Sequence, residues 1–70
     1  MTMFLVADAN GSLWLFDNYP HRYQDEWVSD NVRDVAISIE ESILEHFGID
    51  TPNFMSEPIL VSFELKTLIE

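Results

Sequence analysis

The chain has 70 residues, with 13 acidic against 3 basic side chains and a formal net charge of −10. Its fixed cations are Arg22, Arg33 and Lys66. That balance excludes direct nucleic-acid binding, which needs a basic patch, and disfavours an anionic membrane surface. With no cysteine, a disulfide and a thiolate metal site are both excluded.

Seventy residues make one domain, near the lower size at which a chain folds without staples. Hydrophobic residues are 47% and aromatics 13%, too rich for a disordered acidic tail. The same apolar content points to a homodimer as an alternative to a lone core. No stretch approaches the roughly 20 apolar residues that span a bilayer. The run Met3–Ala7 is too short for a signal-peptide core and no basic residue precedes it. A cytoplasmic location is therefore expected, in keeping with the absence of cysteine.

In chain order, Met3–Ala7 and Leu13–Phe16 are apolar runs rich in strand formers, separated by Asp8-Ala9-Asn10-Gly11-Ser12. Asn10-Gly11 predicts a two-residue type I′ hairpin, in which both central positions take positive φ. That register pairs Ala7 with Trp14 and Leu5 with Phe16. It puts Leu5, Ala7, Trp14 and Phe16 on one face and Phe4, Val6, Leu13 and Leu15 on the other. Both faces are apolar, so the hairpin is expected to be central and covered on each side. Asp17–Pro20 reads as a turn. His21–Val28 reads as a third strand with Tyr23 and Trp27 on one face.

Val32, Val35, Ala36, Ile39, Ile43 and Phe47 recur at helical spacing and predict a helix from an Asn31 N-cap to a terminating Gly48. A last strand follows over Ile59–Leu65, where Ile59, Val61, Phe63 and Leu65 alternate with Leu60, Ser62 and Glu64. The order β-β-(β)-α-β predicts an α+β domain over residues 1–70. Its small, mostly antiparallel sheet would have three or four strands, with the amphipathic helix packed on one face.

On the expected helix, Asp34, Ser38, Glu41 and Glu45 share a face, flanked by Asp30 and Glu40. Glu41 and Glu45 would lie roughly 6 Å apart along the axis, with Asp34 roughly 10 Å before Glu41. Such a carboxylate row can imitate a nucleic-acid backbone. The plainer reading is a solvated face that keeps the protein soluble. Tyr23 and Trp27, beside Arg22, are residue types enriched at interface hot spots, and they would be apolar anchors next to the row. The competing reading is a strand whose aromatics fill the core and whose Arg22 neutralises a neighbouring acid.

No enzyme is expected. Glu40-Glu41 and Asp25-Glu26 are adjacent in sequence, so neither pair faces itself as an acid–base dyad. His21 and His46 have no partner at metal-ligand spacing. The serines lack a nucleophile elbow, and the two glycines make no phosphate loop. No metal or cofactor is expected.

Gly11-Ser12-Leu13-Trp14-Leu15-Phe16, Pro20-His21-Arg22 and Trp27, with the closing Glu57-Pro58-Ile59-Leu60-Val61-Ser62-Phe63-Glu64-Leu65, resemble short uncharacterised proteins encoded by phages and mobile elements of gut bacteria. The resemblance covers about half the chain and implies an accessory, non-enzymatic role. The combined expectation is a small acidic protein that binds a basic nucleic-acid-binding host protein through a DNA-mimic-like surface. The alternative is a homo-oligomeric assembly protein whose charge serves solubility.

Overall fold

The structure, a computed structural model, describes residues 2–62. Six strands and one helix follow in chain order: β1 (Thr2–Ala7), β2 (Leu13–Phe16), β3 (His21–Tyr23), β4 (Glu26–Val28), β5 (Ala36–Ile39), α1 (Glu41–Phe47) and β6 (Ile59–Ser62). Four strands form one antiparallel sheet in the order β5-β2-β1-β6, and β3 and β4 form a separate ribbon. This is the expected α+β class.

The hairpin β1–β2 is central, as its two apolar faces require, but its register differs from the type I′ expectation by one residue. Leu5 pairs with Leu15 and Ala7 with Leu13. The cause lies in the turn. Gly11 N–H donates to Asp8 O at 2.9 Å, and Asp8 N–H donates to Ser12 O at 2.8 Å. Asn10 Oδ1 accepts from Ser12 N–H at 2.9 Å. Gly11 has φ 92 while Asn10 is not among the residues with positive φ, which rules out type I′. The connection is a three-residue loop with a glycine bulge. A one-residue slip regroups every side chain, so Leu5 and Ala7 share their face with Leu13 and Leu15, not with Trp14 and Phe16.

That face carries the larger core: Met3, Leu5, Ala7, Leu13, Leu15 and Val61, closed by Leu44 of α1. The opposite face carries Val6 and Phe16, capped by Trp27 of β4, with Trp14 and Phe54 packed against them. Trp27 is fixed by its indole Nε1–H, which donates to Ala7 O at 3.0 Å, and by a backbone N–H donated to Asp8 Oδ1 at 2.9 Å.

Two expected elements are corrected. The single strand His21–Val28 is a hairpin, turning at Gln24 and Asp25, with Arg22 opposite Trp27. Gln24 takes φ 56 in this turn. Tyr23 and Trp27 consequently do not share a strand face.

The helix from Asn31 is also shorter than expected. Residues 36–39 pair with β2 as strand β5, and α1 covers only Glu41–Phe47. Val35, Ile37 and Ile39 alternate at period 2, while Val35 and Ile39 also fall on the helical stripe. All three are β-branched, and the free edge of β2 supplies the ladder that decides between the two periods. The helix buries Leu44, whereas Ile43 and Phe47 of the expected apolar stripe are exposed. Gly48 does terminate it, at φ 68. Gly48 N–H reaches Glu45 O and Ile49 N–H reaches Leu44 O, a Schellman cap with Ile49 packed on the core beside Leu44.

β6 pairs antiparallel with β1. Ile59 and Val61 face the larger core, while Leu60 points out, as the alternation requires. The expected continuation of this strand through Leu65 lies outside the described residues.

Candidate binding surfaces

The acidic row expected on one helix face is divided. Asp30 and Asp34 lie in the connection between β4 and β5, Ser38 lies on β5 opposite Trp14, and Glu41 and Glu45 lie on α1. Glu40 precedes the helix in an extended conformation and makes no side-chain cap.

These acids have different employment. Asp34 accepts from Asn18 Nδ2 at 2.7 Å and from the Ser29 hydroxyl. The Ser29 bond foremost, with Asn18 and the Asn31 backbone adding to it, holds the Asp34 carboxyl below the usual range. It is a clasp for the loop. Asp30 Oδ1 lies 2.8 Å from His21 Nδ1. Glu41 accepts a 3.3 Å bond from Thr51 Oγ1. Glu40, Glu41 and Glu45 are exposed, and the last two are one turn apart on the same side of α1. These three form the surviving part of the expected row.

Of the expected anchors, Trp27 is only 6% exposed and belongs to the core, so it cannot insert into a partner. Tyr23 is exposed. Among the described residues, Arg22 forms no ion pair with an acid. Its guanidinium stacks 4.5 Å from the Trp27 ring centroid and donates to the carbonyls of Phe54 (3.0 Å) and Ser56 (3.2 Å). It thereby straps the 53–56 turn to the ribbon. Tyr19, also exposed, donates its hydroxyl to Glu57 Oε2 at 2.9 Å, and this bond above all raises the phenol's pKa.

A second acidic surface has no local sequence signature. The β1–β2 loop meets the β3–β4 turn, where Ala9 N–H donates to Asp25 O at 2.9 Å. Asp8, Asp25 and Glu26, with Asn10 and Gln24, line an open cleft of about 510 Å³ there. An adjoining groove of about 270 Å³ shares Asp8 and Glu26 and is floored by Trp14, Phe16 and Trp27. Sequence adjacency makes Asp25-Glu26 a poor dyad, and it hides that a distant turn brings Asp8 alongside.

Among the described residues, no group of three or more His, Asp or Glu is arranged to hold a metal ion, and no helix is long and apolar enough to cross a membrane. The exposed carboxylates can attract and orient a cationic surface. No family model, curated protein or solved structure matches this chain.

Proposed function

We propose that the protein is a small, non-enzymatic, acidic binding module. It engages a basic, nucleic-acid-binding protein, with carboxylates standing where phosphates would lie. The observation that carries this reading is that, among the described residues, most of the carboxylates have no cationic partner. Among the described residues, the ion-pair contact is His21 with Asp30, while Arg22 is spent on carbonyls and rings. Carboxylates left in solvent, with few cations to relieve them, produce a field that steers a basic partner. Glu40, Glu41 and Glu45 form one contact region, and Asp25 and Glu26 at the turn cleft form another. Exposed Tyr23, on the same ribbon as Asp25 and Glu26, supplies an apolar contact. The resemblance to phage and mobile-element proteins adds an accessory role in the cytoplasm of a bacterial host.

The test is capture from host lysate by the tagged full chain, washed at low and then high salt, followed by affinity measurement on the identified partner. The expected partner is basic, binds nucleic acid and is released by salt. Glu41→Gln with Glu45→Gln should weaken binding and flatten its salt dependence. Affinity and salt slope unchanged by both this pair and Asp25→Asn with Glu26→Gln would contradict the reading.

A further inference from the structure

We propose that β5 is a self-association edge, at which a second copy of this chain adds antiparallel across a two-fold axis to give a continuous eight-stranded sheet. This inference is independent of the partner reading above. Asp17 N–H donates to Val35 O at 3.2 Å, and bonded pairs alternate along an antiparallel ladder. Leu15–Ile37 and Leu13–Ile39 are therefore bonded pairs. Ala36 and Ser38 consequently turn their N–H and C=O groups outward, where no strand pairs with them among the described residues.

Edge strands in monomers are usually guarded by lysine, proline or a bulge. Residues 35–39, Val-Ala-Ile-Ser-Ile, carry no such guard. Their odd positions form an apolar row on one sheet face, with Val35 48% and Ile37 43% exposed.

The free groups select the register. Only pairing of even with even residues joins the outward N–H and C=O groups, and Ala36 opposite the partner copy's Ser38 uses all of them. In that register Ile37 meets its own copy on the axis, at a non-bonded position where side chains approach most closely. Val35 meets Ile39 on either side. The row thus becomes a ladder of β-branched cross-strand pairs.

Charge favours a second copy over a uniformly basic strand. Arg33 stands before β5 and Glu40 and Glu41 stand after it, so an antiparallel copy brings the Arg33 end of each strand toward the Glu40–Glu41 end of the other. Among the described residues Arg33 lies in no ion pair. Asp34, at the same end as Arg33, is held in its own loop by Ser29 and Asn18.

The experiment is sedimentation equilibrium of the full chain from low micromolar to near-millimolar protein, with circular dichroism of each variant as a folding control. The wild type should form a dimer. Ile37→Lys, at an exposed position, should leave a folded monomer. Arg33→Glu should weaken the dimer about tenfold through its two symmetric pairs, and adding Glu41→Arg should restore it. A wild type monomeric at every concentration would overturn the proposal. So would a dimer indifferent to Ile37→Lys. Failure of the charge swap to restore association would overturn the register. None of these outcomes depends on binding of a basic protein.

Discussion

The central hairpin and the segment from Ser29 to Phe47 are both rich in apolar residues, yet the first is legible locally and the second is not. From Met3 onward, every side chain of β1 and β2 is apolar on either face. No helical solution competes, and both faces are covered. In residues 32–47, Val32, Val35, Ala36, Ile39, Ile43 and Phe47 fit a period of 3.6, while Val35, Ile37 and Ile39 fit a period of 2. What separates the two outcomes is a partner distant in sequence. The free edge of β2 offers ladder bonds to residues 36–39, while Leu44 supplies the buried contact that keeps Glu41–Phe47 helical. Local pattern determines structure where it is unambiguous. Where it is not, tertiary pairing decides.

Substitutions can break this contrast. Leu5→Ala, in a side chain with no exposure, should cost about 2–5 kcal/mol. That approaches the whole stability expected of a core this small. Urea denaturation should show the variant largely unfolded, whereas Ile37→Ala at the edge should change monomer stability by less than about 1 kcal/mol. Leu44→Ala should cost about 2–4 kcal/mol and remove helical signal with it, since Leu44 is the buried residue of α1.

Trp27→Phe retains much of the packing but loses the indole bond to Ala7 O. It should cost about 1–2 kcal/mol and loosen the Arg22 strap, seen as faster amide exchange in residues 53–56. Gly48→Ala should cost about 1 kcal/mol. An added Cβ meets nothing within 4 Å, so the penalty is that of a left-handed φ alone.

The smallest effect is electrostatic. The Asp34 carboxyl is held below its ordinary range by Ser29. Its contribution is therefore present above the usual carboxylate range and is lost as pH falls through the depressed value. Ser29→Ala should flatten the acid side of the wild type's melting-temperature profile and leave the neutral side nearly parallel.

The fold class, the central hairpin, the Gly48 stop and the inward positions of β6 could be read from alternation and turn chemistry. The hairpin register could not, because Asn10-Gly11 serves a two-residue turn and a bulged three-residue loop equally well. The hydrogen bond from Ser12 to Asn10 selects the second. The break at Gln24-Asp25 carries neither glycine nor proline, so nothing local announced a second hairpin. For the candidate site, net charge identified the kind of surface but not its arrangement. The row from Asp30 to Glu45 depended on a helix that starts ten residues later than Asn31, at Glu41. The cleft of Asp8, Asp25 and Glu26 depends on a contact between two distant turns.

The account rests most directly on residues 36–39 being a strand on the edge of β2. A nuclear Overhauser measurement on labelled protein tests this. Trp14 and Ser38 form a non-bonded pair, which brings their α-protons into close contact. The account predicts a strong cross-peak between those protons and extended-backbone Cα shifts through Ala36–Ile39. Contacts from residue i to i+3 running unbroken from Val32 into Ile43, without the Trp14–Ser38 peak, would contradict it and reinstate a single acidic helix face.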